Sequence, residues 1–164
     1  MTDEDLTTIR ADQYYPHSPA RVWQVLTTPS MMAIWLMAND FQPVLGHHFT
    51  LHGSPIEPIN FSGIVACEVL DIREAERLRI SWRDANNPES LDSTVTWELH
   101  PEGHGTRLIL EHSGFDPEDP DQQMSRRIMN GGWRSRVLRR FSELLAESDQ
   151  SASMPAEPGS LPSL

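Results

Sequence analysis

Residues 77–83 read RLRISWR and residues 93–100 read STVTWELH, and both segments alternate between apolar and polar side chains. The apolar positions of the first segment are Leu78, Ile80 and Trp82. Those of the second segment are Val95, Trp97 and Leu99. Because successive side chains of a β-strand point to opposite faces, this alternation indicates an antiparallel sheet with one covered face and one solvated face.

Three further segments near this pair are also predicted to be strands. They cover residues 48–52, 61–72 and 106–113. The connecting segments are rich in residues that favour turns, for example Asn86-Asn87-Pro88 before the segment at 93–100. Residues 6–15 are β-prone and end at Pro16, which suits an edge strand. We therefore predict a single sheet of consecutive antiparallel strands.

One long helix near the C-terminus is predicted to cover this sheet. Its apolar side chains fall on one arc when residues are spaced at about 100°. They are Trp133, Val137, Leu138, Phe141, Leu144 and Leu145. Two short helices are predicted earlier, the first capped by Ser18-Pro19 and the second over residues 30–36. The element order predicts an α+β fold in which a curved antiparallel sheet wraps around the long helix and leaves a gap for a small ligand.

The composition predicts one soluble, cytoplasmic domain. The chain has 164 residues, of which 24 are acidic and 13 basic, and its net charge is −11. This charge argues against nucleic acid and anionic membranes as partners, because both need a predominantly basic surface. We predict neither a signal peptide nor membrane insertion, since the N-terminus is acidic and no long apolar run follows. Residues 1–146 are assigned to the domain and residues 147–164 to a disordered tail.

Several residue types that carry chemistry are missing or isolated. All 13 cations are arginine, so Schiff-base chemistry and a phosphate-binding lysine are excluded. The single cysteine, Cys67, excludes an internal disulfide and a thiolate zinc cluster. His48 and His52 share a strand face, but no HExxH or paired-cysteine motif accompanies them. We predict no metal and no cofactor.

Four segments carry a resemblance to a known family. They are SPARVWQVLTTPSMMAIWL (18–36), FSGIVACEVLDIREAERLRISW (61–82), STVTWEL with GTRLILEHSGF (93–115) and GGWRSRVLRRFSELL (131–145). Together they resemble the START-like, or SRPBCC, superfamily, and most closely its heat shock protein 90 ATPase activator homologue-like branch. The resemblance implies a helix-grip fold with a hydrophobic cavity between the sheet and the C-terminal helix. Similar folds bind lipids or aromatic polyketides, act as cyclases or assist chaperones, so fold alone does not select one activity.

We predict that this cavity binds an apolar or aromatic small molecule. The predicted ligand contacts are Trp35, His48, Trp82, Trp97 and Trp133, with Arg134 as a polar anchor. The tryptophans offer large flat surfaces for stacking. Arg134 falls inside the apolar arc of the helix, where its guanidinium would need a carboxylate such as Glu98 or Glu111, or an anionic ligand.

Two alternatives belong to other functional classes. The first is a chaperone-associated or regulatory module with a filled core, whose six arginines between 126 and 140 bind an acidic protein or a second copy in a homodimer. The second is a cyclase-like enzyme that acts on a cyclic metabolite, with a histidine or a glutamate such as His48 or Glu98 as acid or base.

Overall fold

A computed structural model describes residues 5–153, and the side chains of residues 5–147. Its core element is a curled antiparallel sheet of seven strands in the order β1-β7-β6-β5-β4-β3-β2. The strands are β1 (Thr8–Tyr15), β2 (Ala38–Asn39), β3 (His48–His52), β4 (Ile64–Arg73), β5 (Arg77–Asp84), β6 (Ser93–Glu102) and β7 (Gly105–Ser113). The predicted strands are all present, and the two-residue strand β2 is an addition to them.

The two alternating segments pair with each other as neighbouring strands. Leu78 lies opposite Trp97 and Ile80 lies opposite Val95. All four side chains are buried, as the alternation predicts, because they share the concave face of the sheet.

Two short helices, α1 (Pro19–Thr27) and α2 (Pro29–Trp35), follow the first strand. Ser18 caps α1 as predicted, since its side chain accepts a hydrogen bond from the Arg21 amide and Pro19 occupies the first turn. Trp35 at the end of α2 is anchored in the core by a hydrogen bond from its indole to the Val25 carbonyl, at 2.9 Å.

The C-terminal helix consists of α3 (Pro120–Gly132), a π-helical turn (Trp133–Val137) and α4 (Leu138–Ser153). Asp119 caps it by accepting from the amides of Asp121 and Gln122. The helix is described as far as Ser153, past residue 147, where the tail is predicted to begin; residues 154–164 of that segment lie outside the described residues.

The C-terminal helix lies against the concave face of the sheet, which is the helix-grip arrangement. Phe141 packs at 5.3 Å from the Trp35 ring and 5.4 Å from the Tyr15 ring. The predicted apolar arc faces the sheet, since five of its members are buried and Leu138 is half-buried. Within residues 5–153, no helix is both long and apolar enough to cross a membrane.

Candidate ligand-binding groove

An apolar groove of about 350 Å³ opens between the C-terminal helix and the end of strand β5. The helix contributes the residues around its π-helical turn, and two loops close the other sides. The lining consists of Leu36, Met37, Ile56, Phe61, Trp82, Ile128, Met129, Gly132, Trp133, Ser135, Arg136 and Val137. We call this site the tryptophan groove because the Trp82 and Trp133 side chains form part of its lining.

The π-helical turn shapes the helix side of the groove. In such a turn the amide of residue i+5 donates a hydrogen bond to the carbonyl of residue i. Here the Leu138 amide donates to the Trp133 carbonyl. Gly132 precedes the turn in ordinary helical conformation, and a Cβ built there would have no heavy atom within 4 Å. Glycine destabilises a helix interior by about 0.5–1 kcal/mol relative to alanine, but at this position it leaves the groove open.

Four tryptophans form a continuous row from the core to the groove. Neighbouring ring centroids in the order Trp35, Trp97, Trp133 and Trp82 are 6.0, 6.0 and 5.7 Å apart. The first two pairs meet edge to face, and the third is tilted by 53°. These geometries are favourable for aromatic pairs, so the row fixes the orientation of the two rings that reach the groove.

The loop between β3 and β4 builds the opposite wall. Ile56 and Phe61 exchange two backbone hydrogen bonds of 3.0 Å, which closes the loop on itself. Gly63 ends the loop with φ of +99°, where an added Cβ would lie only 3.1 Å from the Pro55 nitrogen. Only glycine adopts this conformation readily at such close range, and it turns the chain so that Phe61 faces the groove.

His112 lies directly behind the two groove tryptophans and is fully buried. Its Nδ1 accepts a hydrogen bond from the Trp133 indole at 3.1 Å, and its Nε2 lies 2.9 Å from the Ser93 hydroxyl. Ser93 in turn donates to the Trp82 carbonyl at 2.9 Å. Burial lowers the pKa of His112 to about 3, so the imidazole is neutral at physiological pH.

The structure brings together only some of the residues predicted as ligand contacts. Trp82 and Trp133 line the groove. Trp35 and Trp97 belong to the same row of rings but are enclosed in the core. His48 lies outside the groove, because strand alternation turns Phe49 and Leu51 inward and leaves the His48 side chain 78% exposed, 3.9 Å from Glu68.

The inward placement predicted for Arg134 is wrong. Arg134 is exposed and donates hydrogen bonds to the Asn130 side chain and the Arg10 carbonyl. The helical wheel fails here because the π-helical turn contains an extra residue, so the spacing of 100° no longer applies. The carboxylates considered as partners are engaged elsewhere, since Glu111 pairs with Arg10 at 3.1 Å and Glu98 lies 3.9 Å from Arg77.

Neither the histidines nor the cysteine assemble a reactive centre in the part of the chain that the structure describes. There, no group of three or more His, Cys, Asp or Glu side chains has an arrangement that would hold a metal ion. Cys67 is a free, buried thiol on β4. Burial raises its pKa, and the charge of Asp40 raises it further, so the thiolate needed for nucleophilic attack is disfavoured.

Sequence reasoning missed several residues of the site. His112 continues the inward face of β7 after Leu108 and Leu110, so alternation alone could have placed it behind the groove. The pair Gly131-Gly132 inside a long helix is costly and was a visible signal of an opening. Arg136 and Phe61 carried no such signal, because their place in the groove depends on the π-helical turn and on the fold of a loop.

The described fold and the groove together define a helix-grip protein of the START-like superfamily. Residues 16–146 match the model of the family described as activator of Hsp90 ATPase homolog 1-like protein. The chain belongs to this family, which confirms the branch that its sequence resembles. No curated protein sequence matches the chain.

Solved structures agree with this assignment. The protein MLL2253 from Mesorhizobium loti is 33% identical with a TM-score of 0.74, over 87% of this chain and 98% of that one. CalU16 from Micromonospora echinospora is 25% identical with a TM-score of 0.65, over 88% of this chain and 79% of that one. DynU16, from the dynemicin biosynthetic locus, is 19% identical with a TM-score of 0.70, over 88% of this chain and 49% of that one, and it shares the fold alone.

Proposed function

We propose that the chain is a small-molecule binding protein that holds an apolar or aromatic ligand in the tryptophan groove. The observation that carries this proposal is the opening itself, a space of about 350 Å³ beside two tryptophan side chains. Ligand sites are typically concave, mostly apolar and largely pre-formed, with volumes of about 300–1,000 Å³. The groove lies at the lower end of this range, which favours a compact molecule of one to three rings.

The lining supplies the driving force for such a ligand. Nine of its twelve lining residues, the two tryptophans included, have aliphatic, aromatic or thioether side chains. A two-ring ligand that buries about 200 Å² of apolar surface gains about 5 kcal/mol before the cost of association is subtracted. Met37 and Met129 add flexible thioethers that adapt to the outline of a ring.

The groove favours binding over acid–base turnover. Among the described residues, its lining contains no histidine, aspartate, glutamate or cysteine. The nearest titratable ring, His112, is sealed behind the tryptophans and engaged through both nitrogens. The opening supports ligand binding over the alternative of a pure protein-interaction module, for which a filled core is predicted.

Gly131 and Gly132 provide a matched pair of variants to test the proposal. A Cβ at either position meets no heavy atom within 4 Å, but only Gly132 lines the groove. We expect Gly132→Leu to place its side chain in the groove and Gly131→Leu to place it in solvent. Both substitutions replace a helical glycine, so neither is expected to destabilise the fold.

The probe is N-phenyl-1-naphthylamine, a neutral dye whose fluorescence increases in apolar surroundings. The expected result is saturable binding to the parent chain and to Gly131→Leu, with at least about tenfold weaker binding to Gly132→Leu as its side chain fills the site. Circular dichroism melting of each variant confirms that it is folded. Saturable binding that Gly132→Leu leaves unchanged, or no binding to the parent chain, contradicts the proposal.

A further inference from the structure

The charged side chain at the groove points to a narrower class of ligand. Resting on the proposed function, we infer that the ligand is an apolar ring system that ends in a carboxylate, and that Arg136 binds this carboxylate. Arg136 follows Ser135 in the π-helical turn, and both line the groove. Of the described residues that line the groove, Arg136 alone has a charged side chain.

Arg136 differs from several arginines on the sheet because no carboxylate of the described residues pairs with it. Arg10, Arg77 and Arg107 each lie within 3.1 Å of an aspartate or glutamate oxygen. Arg136 has no ion pair or hydrogen bond to the described part of the chain, although the net charge is −11. Its five N–H donors are therefore directed to solvent or to a molecule in the groove.

The local charge reinforces this preference for an anion. Between Asp121 and Glu143 the sequence contains six arginines and no acidic residue. This helical segment is therefore strongly positive in a protein that is acidic elsewhere. A positive potential at the mouth of an apolar groove favours anionic ligands and disfavours cationic ones of the same shape.

The single positive charge of the lining favours a carboxylate over a phosphate monoester. One guanidinium balances the one charge of a carboxylate and matches its two oxygens, whereas a phosphate monoester carries a charge of about −1.5 to −2 at pH 7. Ser135, the other polar side chain of the lining, already donates its hydroxyl to the Gly131 carbonyl at 2.6 Å. One arginine thus remains to hold the charged end while the apolar body contacts Trp82 and Trp133.

The test compares 2-naphthoic acid with 2-naphthamide, which have the same shape and differ in charge at pH 7. Affinities are measured by calorimetry for the parent chain, Arg136→Gln and Arg139→Gln. Arg139 is a matched control because it is exposed on the same helix and lines a separate cleft beside β1. We expect the parent chain to prefer the acid by up to about fivefold, the upper end of the range for an exposed ion pair.

The preference should disappear in Arg136→Gln, persist in Arg139→Gln and shrink as salt is raised. Affinity for the amide should stay within about twofold in Arg139→Gln. For Arg136→Gln the readout is the ratio of the acid and amide affinities, in which a change in the shared apolar contacts cancels. Equal binding of acid and amide by the parent chain overturns the inference and leaves the proposed function intact. A preference that survives in Arg136→Gln also overturns it, whereas binding of neither compound counts against the proposed function itself.

Discussion

Trp133 donates its indole N–H to Nδ1 of His112 at 3.1 Å, and this bond joins the groove to the interior of the sheet. Because Nδ1 accepts, the proton of the neutral ring resides on Nε2, which donates to Ser93. The Ser93 hydroxyl in turn donates a hydrogen bond to the Trp82 carbonyl. One buried histidine therefore links both tryptophans that line the groove.

The first prediction concerns the energy of this bond. Trp133→Phe removes the donor and leaves a buried ring nitrogen unsatisfied, which should lower the free energy of unfolding by about 1–3 kcal/mol. His112→Leu removes the acceptor from the same pair. In urea unfolding, the two substitutions should be non-additive, with an interaction energy of about 1 kcal/mol or more in the double variant. Simple additivity would show that the bond contributes nothing.

The second prediction is a pH dependence of stability set by His112. Burial lowers its pKa from the ordinary 6.5 to about 3 in the folded protein. As pH falls below 6.5, the unfolded chain binds a proton that the folded chain does not bind, so stability is lost progressively down to about pH 3. Linkage gives a loss of about 2 kcal/mol between pH 7 and pH 5.

His112→Leu supplies the control for this pH dependence. The variant is less stable overall, but its free energy of unfolding should be nearly independent of pH between 7 and 5. Asp84 does not disturb this comparison. Its hydrogen-bonded carboxylate has a pKa below the ordinary 3.8, so the stability that it contributes is lost only in more acidic solution. If the free energy of unfolding of the variant falls with pH as steeply as that of the parent chain, another group binds the proton on unfolding and the assignment to His112 is wrong.

Alternation and helical periodicity predict the α+β architecture, and the resemblance to the START-like superfamily adds the helix-grip fold. The inward positions of β5 and β6 and the apolar arc of the C-terminal helix are buried as expected, because burial of one face governs both patterns. Each pattern depends on local spacing within one element. Such spacing can be read from a single sequence.

The site was predicted less well because it depends on contacts between elements and on one irregular turn. Trp82 and Trp133, which are predicted as ligand contacts, line the groove, and their contact with a ligand stays a prediction. Arg134 was misplaced because an ideal wheel assumes uniform α-helix, whereas the π-helical turn presents Arg136 to the groove instead. The apolar spacing of residues 133–145 fits a regular α-helix and therefore gives no sign of this turn.

The third prediction is that Arg126 stabilises the fold and that its neighbour Arg127 does not. Arg126 is buried and donates from Nε and a terminal nitrogen to the carbonyls of Thr8 and Asp5, at 2.9–3.1 Å. Arg126→Met should destabilise the fold by about 1.5–3 kcal/mol, since the hydrogen bonds from a charged donor to these backbone carbonyls are lost. Exposed Arg127 is the matched control, and Arg127→Met should change stability by less than about 0.5 kcal/mol. Equal losses in urea unfolding would refute the structural role of Arg126.

The fourth prediction concerns the wall of the groove that Phe61 forms. The buried Asp84 carboxylate accepts hydrogen bonds from the Ser62 amide and hydroxyl, at 2.8 and 2.5 Å, and from the Asn86 amide at 2.9 Å. Burial raises the pKa of Asp84, but these hydrogen bonds outweigh it and the net shift is downward. The ionised carboxylate thus holds Ser62 in place, and with it the neighbouring Phe61.

Asp84→Ala should therefore release this wall, with a loss of about 1–3 kcal/mol in stability and weaker binding of N-phenyl-1-naphthylamine. Asp92→Ala removes an exposed carboxylate that pairs with Arg83 at 3.0 Å, and it should cost less than about 1 kcal/mol with no change in dye affinity. The comparison is made above pH 6, where Asp84 is ionised. Unchanged dye affinity in Asp84→Ala would mean that Phe61 is held by its own packing and not through Ser62.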